Sequence, residues 1–284
     1  MKKISVAIDF KNNAYELLNV AVNWCKLFKA ELNIIHIDQE QKIDISVPLN
    51  LSNPYNSEED ILQAKVNKDV VNQSQSKVED LLKYLDTSKL NITYNIKVDA
   101  IDNGLKEAIN SENPDLLIIS ITNDLDTNHF EPTTLYRLFE AVDTPVLAIP
   151  SDFADYEIKR MVFAYDKKSE FTDNLNASRD LAAQMGTEIY NVKVFPNELD
   201  YRKYINEESW KDSAYDYCFT CSDVYSGLLG FMSGIQGDLL VINHEKRGYL
   251  GKFFHESMTK KFLMDAKLPL LIFDGHIIDW NLLE

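Results

Sequence analysis

Residues 4–9 read Ile4-Ser5-Val6-Ala7-Ile8-Asp9, a short apolar run that ends in an aspartate, and residues 161–166, MVFAYD, repeat this pattern. Two further apolar segments recur in the same order, residues 115–119 as 238–242 and residues 144–149 as 268–273. Self-similarity over about 150 residues indicates a duplicated domain rather than a short-period solenoid. The sequence therefore predicts two copies of one domain, at residues 1–150 and 157–284.

Each unit alternates two kinds of segment. Residues 116–121 form a continuous apolar run, which is typical of a strand buried on both faces, whereas residues 14–28 repeat apolar side chains at helical spacing. Strands of this kind alternating with helices indicate a parallel sheet that is covered on both sides. The predicted fold class is α/β, with two doubly wound parallel-sheet domains in tandem.

The composition excludes several classes of partner. The formal net charge is −16, and such a surface repels nucleic acid, whose binding usually needs a basic face. No segment approaches the roughly 18 apolar residues of a membrane span. The apolar run at the amino terminus is interrupted by Asp9, so it reads as a strand rather than a secretory signal. We predict a cytoplasmic protein that binds neither nucleic acid nor membrane.

The order of these segments resembles the universal stress protein family. The matching segments of the first unit are Val6–Asp9, Phe28–Ile37, Asp115–Ile119 and Thr144–Ile149, and those of the second are Val162–Asp166, Met185–Val194, Asp238–Ile242 and Leu268–Phe273. The family has an adenine nucleotide alpha hydrolase-like (HUP-like) fold and includes tandem members. The resemblance implies that residues 146–149 and 270–273 pair across a pseudo-twofold axis, as an intramolecular pseudo-dimer. It leaves homodimerisation open.

Many members of this family bind ATP through a G-x-x-G segment, followed after nine residues by G-(S/T), behind the fourth strand. Glycines there let backbone N–H groups approach the phosphate oxygens. The glycine positions fall on Ser120, Asn123 and Thr133 in the first unit, and on Asn243, Lys246 and Glu256 in the second. Because every glycine is replaced, the sequence predicts that the first unit does not bind ATP.

The second unit leaves two interpretations open. Gly248 and Gly251 lie within its loop, among the basic residues Lys246, Arg247 and Lys252. They shape the loop before a helix, which is the interpretation we favour, or they form a shifted anion site. The candidate nucleotide-binding residues are Asp166, Asn243, Gly248, Gly251 and Ser257. Asp166 matches the family's first-strand aspartate, which lies by the base, and a turn cap is the equal alternative; for Asp9 we favour the cap.

A metal site is considered and not favoured. Cys218 and Cys221 form a C-x-x-C, with His244 and His255 as further ligands. The pair lies in a predicted strand, where residues i and i+3 point to opposite faces, and a structural zinc site needs four ligands. His36 reads as an isolated, structural histidine. We therefore predict no metal and no catalytic residue.

The sequence thus predicts a non-catalytic stress-response or regulatory protein that acts through a protein partner of unknown identity, without a cofactor. The alternative is an ATP-binding switch with weak ATPase activity that uses the second unit alone. A nucleotide beside residues 243–257 would favour the alternative.

Overall fold

In a computed structural model of the chain, the structure describes residues 1–10, 13–39, 58–122, 132–152, 157–164, 172–206, 217–243, 255–265 and 267–273. The strands are β1 (Lys3–Ala7), β2 (Glu31–Asp38), β3 (Ile92–Val98), β4 (Leu116–Ile121), β5 (Val146–Pro150), β6 (Arg160–Ala164), β7 (Glu188–Phe195), β8 (Tyr217–Thr220), β9 (Leu239–Asn243) and β10 (Leu270–Phe273). The helices are α1 (Ala14–Phe28), α2 (Glu58–Leu82), α3 (Ile101–Glu112), α4 (Pro132–Ala141), α5 (Thr172–Met185), α6 (Glu198–Asn206), α7 (Val224–Ile235) and α8 (His255–Asp265).

All of these strands join one sheet of ten, in the order β3-β2-β1-β4-β5-β10-β9-β6-β7-β8. The second half of the sheet has the same strand order as the first, read in the opposite direction: β8, β7, β6, β9 and β10 correspond to β3, β2, β1, β4 and β5. Neighbours within each half are parallel, and β5 and β10 are antiparallel, with Leu271 opposite Leu147. The fold is therefore the predicted pair of doubly wound α/β units, and it contains the strand pairing that the family resemblance implies.

Two hydrophobic layers cover the sheet because successive strand residues point to opposite faces. Val6 faces a layer that includes Leu18 of α1 and Leu181 of α5, whereas Ala7 faces a layer that includes Leu135 of α4 and Leu263 of α8. Each layer draws residues from both halves, so the core continues across the β5–β10 junction.

Helix α1 follows from its sequence pattern. Leu17, Leu18, Ala21, Cys25 and Phe28 recur at helical spacing, and all are buried. The helix ends where Lys29 adopts a left-handed conformation and the N–H of the next residue bonds to the carbonyl of Cys25.

Among the residues described, no helix combines the length and apolarity needed to cross a bilayer.

Candidate functional site

The strand order reverses at one place in each half. Strand β1 lies between β2 and β4, and β6 lies between β7 and β9. Open α/β sheets bind ligands in the crevice at the carboxyl ends of the strands beside such a switch point. These two crevices are therefore the candidate sites, and comparing their side chains shows how far the halves have diverged.

In the first half, the chain's own side chains bridge this position. Ser120, in β4, is buried, and its hydroxyl donates a hydrogen bond of 2.8 Å to Oδ1 of Asn13, directly before α1. The Nδ2 group of Asn13 has no hydrogen-bond partner in the described part of the chain. The side chain at the first glycine position of the family motif is thus tied to the start of α1.

Beside this bridge, a polar network closes the ends of β1 and β2. His36 donates from Nδ1 to the carbonyl of Ile8 at 2.9 Å, and its Nε2 lies 3.2 Å from Oδ1 of Asp38. Ser74 of α2 donates to the other Asp38 oxygen at 2.7 Å. Phe10 packs on the His36 ring with a centroid separation of 4.4 Å. His36 therefore has structural contacts, in agreement with the predicted structural role, but it is not isolated as the sequence suggested.

This network sets the charge state of Asp38. Partial burial acts to raise the pKa of its carboxyl, but hydrogen bonds from His36 and Ser74, with the positive charge of Lys77, outweigh that effect. The pKa of Asp38 is consequently held below its ordinary value, and the carboxylate stays ionised at neutral pH. Asp9, the family's first-strand aspartate, is buried next to this network.

The second half has an amide pair in place of the first-half bridge. Asn243 ends β9, and Asn174 lies in the first turn of α5; they are 9% and 3% exposed. Nδ2 of Asn174 donates to Oδ1 of Asn243 at 2.9 Å. The other two amide atoms, Oδ1 of Asn174 and Nδ2 of Asn243, are buried and lack hydrogen-bond partners among the described residues. This crevice therefore retains one unused acceptor and one unused donor.

The side chains of the other predicted site residues are outside the described part of the chain. Asp166, Gly248 and Gly251 lie outside the described residues, and Ser257 is described only as part of the first turn of α8, without its side chain. Asn243 is thus the single predicted site residue whose surroundings can be described. Sequence reasoning missed Asn174. Its signal was available, because an asparagine occupies the buried face of α5 next to Leu175.

The two crevices differ in the side chain that stands at the first glycine position of the family motif. In the first half, this side chain is Ser120, and it is bonded to Asn13. In the second half, Asn243 also replaces a glycine, but its unpartnered Nδ2 can still donate to a ligand. The residues that would contact phosphate in a shifted site, Gly248 and Gly251, lie outside the described part of the chain.

The cysteines are spread over the second-half edge and the first-half core. Cys218 lies in edge strand β8 and Cys221 directly follows that strand, while Cys25 lies on the buried face of α1. Within the described ranges, no three His, Cys, Asp or Glu side chains are grouped so that they could hold a metal ion.

Comparison with known proteins identifies what the chain resembles. The sequence model of the universal stress protein family matches residues 1–150. A universal stress protein structure from Archaeoglobus fulgidus DSM 4304 superposes with a TM-score of 0.64 at 11% identity, covering 96% of this chain and 98% of that chain. A putative universal stress protein from Pseudomonas aeruginosa UCBPP-PA14 gives 0.61 at 11% identity, covering 96% and 93%. These likenesses show the shared fold.

Two further comparisons bear on ligands. A universal stress protein from Archaeoglobus fulgidus was solved in complex with dAMP; it is 14% identical, covers 52% of this chain and 97% of itself, and has a TM-score of 0.30. That similarity is too low to carry a ligand over to this chain. A search of curated proteins finds no match to the sequence.

Proposed function

The chain belongs to the universal stress protein family, and on that premise we propose that it is a non-catalytic, cytoplasmic stress-response protein that acts through protein partners. The proposal assigns the two domains to residues 1–150 and 157–284. Its first domain serves as a scaffold and does not bind ATP.

One observation carries this proposal: the hydrogen bond between Ser120 and Asn13 at the first switch point. It joins β4 to the start of α1, where the family places a glycine and a phosphate. The neighbouring bonds of His36 to Ile8 and Asp38 use polar groups at the ends of β1 and β2. A crevice whose side chains bond to one another has lost the means to hold a triphosphate, while the fold that presents the outer surface is intact.

Affinity capture tests whether the chain binds a protein partner. The tagged chain is recovered from stressed and unstressed cells, and the proteins bound to it are quantified by mass spectrometry. We expect a stoichiometric partner whose recovery is unchanged by Ser120→Ala, since this bond only fills the crevice. An ATPase assay on the purified chain should give no turnover above the blank. Turnover that Ser120→Ala abolishes would contradict the proposal for the first half.

A second candidate function is an ATP-binding switch with weak ATPase activity in the second half. It is favoured by the unpartnered Oδ1 of Asn174 and Nδ2 of Asn243, since buried polar atoms without partners often mark a ligand or water position. The basic loop residues Lys246, Arg247 and Lys252 supply positive charge for an anion. Gly248, Gly251, Ser257 and Asp166 complete this candidate site.

Thermal denaturation in increasing Mg-ATP separates the two candidates, because a ligand that binds only the folded state raises Tm once its concentration exceeds Kd. A dose-dependent rise that Ser257→Ala or Lys252→Glu removes would establish the switch. A Tm that stays constant up to millimolar Mg-ATP would reject the ATP-binding switch and favour the non-catalytic function.

A further inference from the structure

Helix α7 has an outer side without charge. The helix contains no charged residue, although charged residues form 26% of the chain and the formal net charge is −16. Its inner side packs on β6, β7 and α8. The outer side, which we call the α7 face, combines exposed small residues with partly buried apolar ones: Ser226, Leu229, Gly230, Phe231, Gly234 and Ile235. A surface helix normally carries charged or polar side chains on its outer side, so the α7 face is unusual.

The corresponding helix of the first half is charged. Helices α3 and α7 each have 12 residues and a left-handed C-cap, Asn113 or Gln236, so they align without a gap. The alignment pairs Asp102 with Tyr225, Lys106 with Leu229, Glu107 with Gly230 and Glu112 with Ile235. Each charged position of α3 is therefore occupied by an uncharged residue in α7.

The neighbouring edge strands differ in the same way. Lys97 of β3 and Phe219 of β8 hold equivalent positions in the register against β2 and β7. Lys97 forms an ion pair of 2.9 Å with Glu107 of α3, whereas Phe219 stacks on Phe231 of α7 with ring centroids 5.9 Å apart. Tyr217, 43% exposed, adds a third ring at 5.0 Å from Phe231. The α7 face is thus continuous with an aromatic edge where the first half has an ion pair.

Charge limits which partner fits the α7 face. The cations of a basic partner would lose water there without meeting an acidic group, which is unfavourable. A second copy of the chain avoids this cost, because a twofold dimer places the same patch on both sides of the interface. Two chains of charge −16 repel each other, and this repulsion is weakest where the facing surfaces carry no charge.

We propose that the chain forms a homodimer through the α7 face, with the α7 helices of two copies packed across a twofold axis. Leu229, Phe231 and Ile235 supply apolar surface whose removal from water is favourable. At Gly234, a Cβ would meet no atom within 4 Å, so the helix leaves space there for side chains of the other copy. This assembly goes beyond the proposed function and does not depend on it.

Sedimentation velocity of the purified full-length chain over a range of concentrations tests the proposal. We expect a monomer–dimer equilibrium that shifts toward the dimer as salt rises, because salt screens the repulsion between the two acidic chains. Gly230→Glu gives the α7 face the residue that α3 carries as Glu107. It should raise the dimer Kd at least about tenfold, since each copy would bury a carboxylate without a cation. Asn72→Glu adds the same charge on the exposed side of α2 and should leave the Kd nearly unchanged.

Photo-crosslinking gives a second measurement that does not depend on folding of the Gly230→Glu chain. A benzoylphenylalanine in place of Ser233, an exposed residue of α7, should yield a covalent dimer of the purified chain on illumination. The same group in place of Asn72 should yield the monomer alone.

A dimer that Gly230→Glu weakens and Asn72→Glu does not weaken supports the proposal. A chain that stays monomeric at every concentration and salt would overturn it, as would a dimer that Gly230→Glu leaves intact. A dimer that dissociates as salt rises would show an interface made of ion pairs and would also overturn it. Crosslinking from position 233 to a different protein in cell extract, by a chain that is monomeric when purified, would overturn self-association and assign the α7 face to that protein.

Discussion

Asp115 and Asp238 occupy equivalent positions in the two halves and hold the same backbone groups. Oδ2 of Asp115 accepts from the N–H of Lys3 at 2.9 Å, and Oδ2 of Asp238 accepts from the N–H of Arg160 at 2.9 Å. Each carboxylate thus binds the first amide of β1 or β6 from a position directly before β4 or β9. Both halves have this structural contact at the amino ends of their strands, although their side chains differ at the crevices, which lie at the carboxyl ends.

Removing either carboxylate should destabilise the protein to a similar extent. Asp115→Ala and Asp238→Ala each leave strand-edge amides without their acceptor, and we expect a loss of about 1–3 kcal/mol in the free energy of unfolding. Urea denaturation followed by circular dichroism measures this loss. Asp69→Asn, on the exposed side of α2, should change stability by less than about 0.5 kcal/mol. Equal stability of all three variants would show that the contact contributes nothing.

The Asp38 network should make stability depend on acid. The pKa of Asp38 is lowered in the folded protein, so its contribution is fully present above the unfolded-state pKa of about 3.9 and is lost as pH falls through the lower folded-state value. Asp38→Asn should remove this part of the pH dependence. The test records the urea midpoint of unfolding for the unsubstituted protein and for Asp38→Asn between neutral and strongly acidic pH. If the midpoints of both proteins depend on pH in the same way, Asp38 does not have this role.

Gly227 and Gly230 of α7 should respond oppositely to alanine. A Cβ at Gly227 would lie 2.8 Å from Cβ of Cys221 and 3.1 Å from Cγ1 of Val194, whereas a Cβ at Gly230 meets nothing within 4 Å. The backbone N–H of Cys221 is bonded to Phe195, which limits its movement. We expect Gly227→Ala to destabilise by about 1–3 kcal/mol through overpacking.

Gly230→Ala is the matched control in the same helix, and it should stabilise by up to about 1 kcal/mol through helix propensity. Thermal denaturation of both variants gives the comparison. A Gly227→Ala protein as stable as Gly230→Ala would mean that α7 and the residue after β8 do not pack as closely as the structure indicates.

The β5–β10 junction should couple the stability of the two halves. Leu147 and Leu271 face each other in the antiparallel register and are 1% and 0% exposed. Leu271→Ala should cost about 2–5 kcal/mol, and a double-mutant cycle with Leu147→Ala should give a coupling energy of about 0.5–3 kcal/mol. Hydrogen exchange in β4 should accelerate in Leu271→Ala. A loss of protection confined to the second half would show that the halves unfold independently.

Much of the fold was predictable from local pattern. The predicted strand at residues 116–121, apolar except for Ser120, matches β4 residue for residue, because a mostly apolar segment of that length fits a buried parallel strand. The end of β1 was less predictable: the run continues to Asp9, whereas the strand ends at Ala7. Hydrophobicity marks burial, but the end of hydrogen-bonded pairing depends on the neighbouring strand.

The candidate site was predictable only in part. Asn243 was identified because it falls on the first glycine position of the family motif, which is read directly from the local sequence. Its partner Asn174 is 69 residues earlier in the chain, and nothing in the spacing of the two indicates that they touch. The contacts of His36 were not predicted for the same reason. It binds the carbonyl of Ile8, and its other partner Asp38 binds Ser74 of α2, so only folding brings these groups together.

The amino-acid sequence by itself determined the duplication and the α/β class, because repeats and periodicity are properties of local order along the chain. The tertiary structure alone decided which polar groups at the carboxyl ends of the strands form hydrogen bonds with one another and which have no partner among the described residues. A buried hydrogen bond depends on distance and direction between residues far apart in sequence, and composition does not encode these quantities locally.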